Sequence, residues 1–188
     1  MAEPYVETEV KIRFPGGAGA ARSLIEERGY AVKQERTLES DQLFDRTEGE
    51  LRATDRLLRL RREGGRATVT YKGPGERGRY KSREEIEFDV SDPVNFERTL
   101  DRLGYTPRFR YEKYRTKFAR PGEDGIISID ETPLGVFLEL EGPRDWIDQT
   151  AAHLGLAKAE YLTRSYASLY EEYHRAHPES AANMIFGS

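Results

Sequence analysis

Residues 5–14 alternate without a break: Val6, Thr8, Val10, Ile12 and Phe14 fall on one side, Glu7, Glu9, Lys11 and Arg13 on the other. A period of two with one apolar side is the pattern of a strand buried on one face. Pro15, Gly16 and Gly17 then turn the chain, and residues 18–28 read as a short helix with Leu24 and Ile25 together, stopped at Gly29. This strand-then-helix order recurs. Residues 83–90 form a strand, followed by Asp92 as N-cap, Pro93 as first helical residue, and Phe96, Leu100 and Leu103 at helical spacing before Gly104. Residues 137–141 form another, which passes through Gly142 and Pro143 into a helix carrying Trp146, Ile147 and Leu154 and ended by Gly155. Each copy carries Glu-x-Glu in its strand: Glu7 and Glu9, Glu85 and Glu87, Glu139 and Glu141.

Further strands are predicted over residues 57–62, 67–72, 110–118 and 126–130, with turns at Gly64-Gly65 and 73–78. A closing helix carries Tyr166, Leu169, Tyr170 and Tyr173, and the tail after His174 reads as loosely ordered. With 188 residues, one domain over 1–175 and a tail over 176–188 are expected.

Because strand side chains alternate sides, parity sorts the charges. One face collects Glu7, Glu9, Lys11, Arg13, Arg59, Arg61, Lys72, Lys81, Arg83, Glu85, Glu87, Asp89, Lys113, Arg115, Lys117, Asp130, Glu139 and Glu141. The other collects Val10, Ile12, Leu58, Leu60, Val69, Ile86, Phe88, Val90, Tyr114, Phe118, Ile127, Ile129, Leu138 and Leu140, which are expected to pack against helices. A solvated face is the ordinary explanation for any one such strand. Here, however, ionised groups nearly monopolise the polar face of the whole set. If the apolar face turns outward under helices, a sheet of this many strands can remove its edges by closing into a barrel with an ionic interior. The expected fold is α+β, mainly antiparallel β: a closed eight-stranded tunnel barrel with helices packed outside.

Such an interior needs ions of both signs. The Glu-x-Glu pairs suit hard cations such as Mg²⁺ or Mn²⁺, and Arg59, Arg61, Lys72, Lys113 and Arg115 form a cradle for phosphate oxygens. A triphosphate with divalent metal supplies both complements.

Composition narrows the partners. Charged residues are 34% of the chain, yet 30 basic and 34 acidic residues leave a net charge of only -4, without the basic footprint of a long nucleic-acid binder. The absence of cysteine excludes disulfides and thiolate metal sites, and the N-terminus lacks the apolar stretch of a signal peptide or membrane span, so a cytoplasmic protein is expected. Gly73 to Gly78 lacks the Gly-Lys-Ser/Thr ending of a phosphate loop and reads as a hairpin loop. His174 and His177 have no third ligand nearby, and the Tyr166, Tyr170 and Tyr173 stripe reads as packing.

Glu7-Thr-Glu9-Val-Lys11 resembles the Glu-x-Glu-x-Lys signature of the class IV adenylyl cyclase and thiamine triphosphatase (CYTH) superfamily. Leu58-Arg59-Leu60-Arg61, Tyr71-Lys72-Gly73, Arg83 with Glu85 and Glu87, Lys113-Tyr114-Arg115, Asp130, and Glu139 with Glu141 are similar to its later motifs in order and approximate spacing. Asp41 to Asp45 and Thr54 to Arg59 look more like the cyclase-type branch. The resemblance implies a triphosphate tunnel dependent on Mg²⁺ or Mn²⁺. It implies metal binding at Glu7, Glu9, Asp130, Glu139 and Glu141, with Lys11, Glu85 and Glu87 as catalytic candidates. It implies phosphate binding by Lys11, Arg59, Arg61, Lys72, Arg83, Lys113 and Arg115.

Two reactions fit one such site. In one, the ribose 3′-hydroxyl of ATP attacks the α-phosphorus, giving cyclic AMP and pyrophosphate. In the other, water attacks the terminal phosphorus of tripolyphosphate, thiamine triphosphate or a nucleoside triphosphate. A non-catalytic triphosphate-binding module is a third reading. Spacing does not choose among them, nor between a monomer and a homodimer.

Overall fold

The computed structural model describes residues 5–76 and 78–187. Eight antiparallel strands close into a barrel: β1 Val6–Arg13, β2 Ala31–Asp45, β3 Leu57–Glu63, β4 Arg66–Lys72, β5 Lys81–Asp89, β6 Thr106–Ala119, β7 Ile126–Thr132 and β8 Gly135–Glu141. Their order around the barrel is β1-β5-β4-β3-β2-β6-β7-β8. The helices are α1 Gly17–Glu27, α2 Glu50–Ala53, α3 Pro93–Arg102, α4 Arg144–His153 and α5 Tyr166–Ala176. The closed tunnel barrel with external helices predicted from parity is the fold observed.

The three strand-helix units place their helices as the sequence predicts. Asp92 caps α3, its Oδ1 accepting from the Asn95 N–H at 2.9 Å, and Pro93 opens the helix. Helices α1 and α4 cover β1, β7 and β8 through Val10, Ile12, Ile127, Leu138, Leu140, Ile25 and Ile147. Helix α3 covers Leu60 and Val69 with Leu100. Among the described residues no such cover lies over β5, where Ile86 and Phe88 are each 51% exposed. The expectation that every outward apolar side chain meets a helix therefore fails on β5, because α3 leans over β3 and β4 instead.

The loop at 73–78 links β4 to β5 as a hairpin connection, with Arg77 outside the described residues. The chain beyond α5 differs from the loose tail expected. Tyr111 bridges Met184, the Met184 N–H donates to Arg110 O at 3.1 Å, and Met184 is buried against Tyr166, Leu169 and Tyr170. Three consecutive apolar residues, Met184 to Phe186, carry this docking, with the Phe186 ring 5.1 Å from that of Tyr114, a run too short to form a periodic signal.

Strand β2 is the large element that periodicity missed. Its register slips between Val32 and Gln34 and again between Gln34 and Thr37. Its middle carries Glu39 and Asp41 toward the lumen and Ser40 and Gln42 outward, so neither face is apolar. Alternation cannot be seen where both sides are polar.

Candidate functional site in the barrel lumen

The lumen is a cavity of ≈ 630 Å³ lined by same-parity side chains from β1, β3, β4, β5, β6 and β8, together with Tyr166 of α5. Most of the predicted set converges on it: Glu7, Glu9, Lys11, Arg59, Arg61, Lys72, Arg83, Glu85, Glu87, Lys113, Arg115, Glu139 and Glu141. Asp130 lies fully buried behind this lining. Arg13, read on the same face, leaves the lumen at the barrel end, donating to Leu134 O at 2.8 Å and stacking on Phe137. Asp89 is exposed and pairs with Arg66 at 2.7 Å. Strand ends outrun the enclosed part of the barrel, so parity assigns a face but not enclosure.

The charges are segregated around the barrel. On the arc β3-β2-β6, Arg59, Arg61, Lys113 and Arg115 form a cationic wall, seated on two acids from β2. Asp41 takes two bonds from Arg61, at 2.9 and 3.2 Å, and lies 3.4 Å from Arg59 Nε. Glu39 makes no hydrogen bond of good angle, yet Arg61, Lys113 and Arg115 stand 3.0, 3.2 and 3.9 Å from its oxygens, so it is ion-paired on three sides. Burial opposes its ionisation, but Lys113 and Arg115 outweigh it and hold the carboxyl below its usual range. A buried charge of either sign is tolerable only when paired in this way.

Behind the wall, Asp130 accepts from Lys113 Nζ at 2.9 Å, Arg115 Nε at 2.6 Å and the Tyr166 hydroxyl at 2.7 Å. The Tyr166 ring also lies 4.5 Å from Lys11 Nζ and 5.3 Å from Lys113 Nζ, within cation-π range. Burial, and then the Asp130 charge, push its hydroxyl well above its usual range, so it remains a donor. Glu139 lies between Lys11, at 2.5 Å, and Arg115.

The opposite arc, β5-β1-β8, carries carboxylates: Glu7, Glu9, Glu85 and Glu141. Lys72 bridges Glu85 and Glu7, the latter at 3.4 Å, and Lys81 stands 3.3 Å from Glu9. Burial pushes the Glu85 carboxyl up to about 8, with Lys72 opposing and Glu7 reinforcing. Glu141 is pushed up to about 7 by burial and then by Glu7, with Glu9 and Glu139 adding. Among the described residues, no three of these groups are drawn together at metal-ligand geometry; Glu7 and Glu85 lean on Lys72 and Glu9 on Lys81 instead. The donor set still fits a hard dication: it consists of carboxylate oxygens, crowded until two of them resist ionisation. Glu87 stands apart at the rim, its side chain 53% exposed, taking 2.8 Å from the Thr70 hydroxyl.

Sequence reasoning missed Glu39, Asp41 and the luminal role of Tyr166. The two acids lay on the unread strand. Tyr166 looked like one of a packing stripe, and only its docking through the barrel seam brings it to Asp130. That seam is closed where β5 has ended: the Lys11 N–H donates to Leu162 O at 3.0 Å, and the Leu162 N–H returns to Lys11 O at 2.7 Å.

Comparison with known proteins agrees with this geometry. The chain is 32% identical to a candidate adenylate cyclase of Methanocaldococcus jannaschii over 137 residues, 72% of this chain and 76% of that protein. The structure superposes on a Pyrococcus horikoshii protein with a TM-score of 0.74 at 26% identity, covering 89% of this chain and 99% of that one. A candidate adenylate cyclase from Vibrio parahaemolyticus matches with a TM-score of 0.78 at 20% identity, covering 90% and 99%. A candidate adenylyl cyclase from Hippeastrum, described as having dominant triphosphatase activity, matches with a TM-score of 0.64 at 16% identity, covering 89% and 96%. The CYTH domain pattern itself runs over residues 6–166, from the first strand to the tyrosine that reaches Asp130. With the closed barrel, the ordered charged motifs and this match in agreement, the chain belongs to the CYTH domain family.

Proposed function

We propose that the protein is a divalent-metal-dependent enzyme acting on a triphosphate, with cyclisation of ATP to cyclic AMP and pyrophosphate as the leading reaction. The observation that carries this reading is the two-sided lumen, in which a guanidinium and ammonium wall on β3 and β6 faces a carboxylate wall on β1, β5 and β8. A phosphate chain laid along the first wall meets planar donor forks from Arg59, Arg61 and Arg115 and a point charge from Lys113, with Lys11 of β1 facing it from the other side. Glu7, Glu9, Glu85 and Glu141 are the acids that would hold Mg²⁺ or Mn²⁺. The bound ion supplies polarisation of phosphoryl oxygens and a lowered pKa for the attacking oxygen.

In this reading Glu39, Asp41 and Asp130 hold the cationic wall in place, so its charges need no reorganisation when the anion arrives. Asp130 and Glu139 are already engaged by Lys113, Arg115, Tyr166 and Lys11, and their proposed part is orientation of those cations. Lys72 and Lys81 neutralise the acidic wall, and both would be free to turn to the phosphates if a cation took their place beside Glu85 and Glu9. Glu87 at the rim accepts a proton or orients the entering group.

Hydrolysis of a terminal phosphate is the second reading, favoured by the triphosphatase activity described for the Hippeastrum protein of the same fold. Purified protein incubated with ATP, tripolyphosphate and thiamine triphosphate, each with Mg²⁺ or Mn²⁺, decides the matter by separation of products. Cyclic AMP with pyrophosphate supports the first reading and inorganic phosphate the second. Intact substrates in every arm overturn both.

A further inference from the structure

Most cations of the lumen are paired with acids. Lys11 meets Glu139, Arg59 and Arg61 meet Asp41, Lys72 meets Glu85, Lys81 meets Glu9, and Lys113 and Arg115 meet Asp130. Lys117 departs from this pattern. Its side chain lines the same cavity but makes no hydrogen bond or ion pair with a described residue. Its cross-strand neighbours are Gln34 on β2 and Ser128 on β7, both uncharged. Glu63, an acid whose charge reaches it, accepts a hydrogen bond from Gln34 Nε2 instead.

Strand β6 starts at the barrel end where β2 finishes, Thr106 pairing with Asp45, and runs to Ala119 beside Ala31. Lys113, Arg115 and Lys117 take successive inward places along it, each about 7 Å from the last at the rise of a strand. Arg115 is locked to Asp130 and Glu139, whereas Lys117, one place further along, is half-buried and unlocked. Burial and then the Arg115 charge pull the Lys117 ammonium below its usual range, with Glu39 opposing and Arg61 adding. Glu39 is already ion-paired by Arg61, Lys113 and Arg115. An ammonium short of acceptors and repelled by two guanidinium groups is stabilised when an external anion supplies what the protein does not.

We propose that Lys117 is the subsite for a fourth phosphoryl group, one place past those received by Arg59, Arg61, Lys113 and Arg115, and that it gives the lumen a preference for linear phosphate chains longer than a triphosphate. The inference rests on the triphosphate reading above and extends it in chain length. A compact charge on a flexible stem follows the end of a chain, which a guanidinium held by two carboxylates does not. The contact is to terminal phosphoryl oxygens, whether the chain is inorganic or carries an organic group at its other end.

The test is calorimetric titration of wild type, Lys117→Met and Lys117→Arg in metal-free buffer, where turnover stops, and again with Mg²⁺. The ligands are tripolyphosphate, tetrapolyphosphate, ATP and adenosine 5′-tetraphosphate, and thermal melts accompany them. Wild type is expected to bind tetrapolyphosphate at least about fivefold more tightly than tripolyphosphate. Lys117→Met is expected to lose about tenfold of tetrapolyphosphate affinity, equivalent to about 1.4 kcal/mol, and to keep tripolyphosphate affinity within about threefold. Lys117→Arg is expected to retain the preference. Removing an unpaired cation beside two others is expected to leave the melt unchanged or raised, and Lys117→Gln takes the place of Lys117→Met should that variant not fold. A preference confined to the inorganic pair assigns the subsite to free polyphosphate, and one shared with the adenosine pair assigns it to the phosphate end of either. Equal loss of tripolyphosphate and tetrapolyphosphate affinity in Lys117→Met reduces Lys117 to a share of the net charge and overturns the subsite, as does a wild type without chain-length preference. Binding of no anion by wild type, with or without Mg²⁺, overturns the triphosphate reading itself.

Discussion

Asp130→Asn is the sharpest test of how the lumen is held together. The wild-type carboxylate is fully buried and takes bonds from Lys113, from both Nε and Nη2 of Arg115 at 2.6 and 2.5 Å, and from the Tyr166 hydroxyl. Asparagine preserves the shape but replaces one oxygen with an amide that donates toward two cations. Removing one partner of a buried ion pair costs about 3–5 kcal/mol, because the remaining charge stays out of water. In a chain of this length each kcal/mol lowers Tm by about 2–4 °C, so a fall of about 6–20 °C is expected. Calorimetric melts of wild type and variant without ligand read this directly, with urea unfolding as a second measure. Arg66→Ala breaks a pair of similar length, 2.7 Å to Asp89, in which both side chains are mostly exposed, and no measurable shift is expected there. An Asp130→Asn protein melting within about 2 °C of wild type would mean that the lumen behaves as screened solvent, and the two-walled charge argument would fail with it.

Glu9→Ala and Glu141→Ala are each expected to abolish turnover and weaken Mn²⁺ binding; the melt of Glu141→Ala is expected to be unchanged or raised, since neighbouring acids repel its charge without metal, whereas Glu9→Ala leaves Lys81 without its partner and is expected to melt lower; full activity in both, followed by product separation, would contradict the metal assignment. Asp45 accepts from the N–H groups of Arg46, Leu51 and Arg52 at 2.7, 2.9 and 3.0 Å, and because Gly49 gives α2 no side-chain cap, Asp45→Ala is expected to cost about 1 kcal/mol by urea unfolding. Burial opposes ionisation of Asp45, but these three bonds outweigh it and lower its pKa, so its contribution is present above the unfolded value and lost as pH falls through the folded one. The variant should therefore show a shallower loss of stability on acidification below about pH 4, and an unchanged acid profile would remove Asp45 from that account. A Cβ at Gly125 would overlap the Trp146 ring, so Gly125→Ala is expected to destabilise by about 1–3 kcal/mol in thermal melts, and a wild-type melt would show that the indole shifts freely.

Much of the site is legible in the sequence because a strand carries its geometry locally. Whether Lys113 and Arg115 share a face follows from parity alone, and the helix caps at Asp92 and Pro93 are equally local. The paired Glu-x-Glu strands and the apolar periods opposite them therefore determined the barrel class, the identity of most luminal charges and the kind of ligand they suit.

What tertiary structure alone decided is which of those charges are neighbours. Closure of the barrel puts β3, β2 and β6 on one arc and β5, β1 and β8 on the other, and so gathers Arg59, Arg61, Lys113 and Arg115 opposite Glu7, Glu9, Glu85 and Glu141. It also brings in Glu39 and Asp41 from a strand whose middle has no apolar face, Tyr166 from a helix that looked like packing, and Met184 from a tail with no periodic pattern. These placements depend on pairing between residues far apart in sequence, and side-chain period reports only the face of one element, never the partner across the lumen.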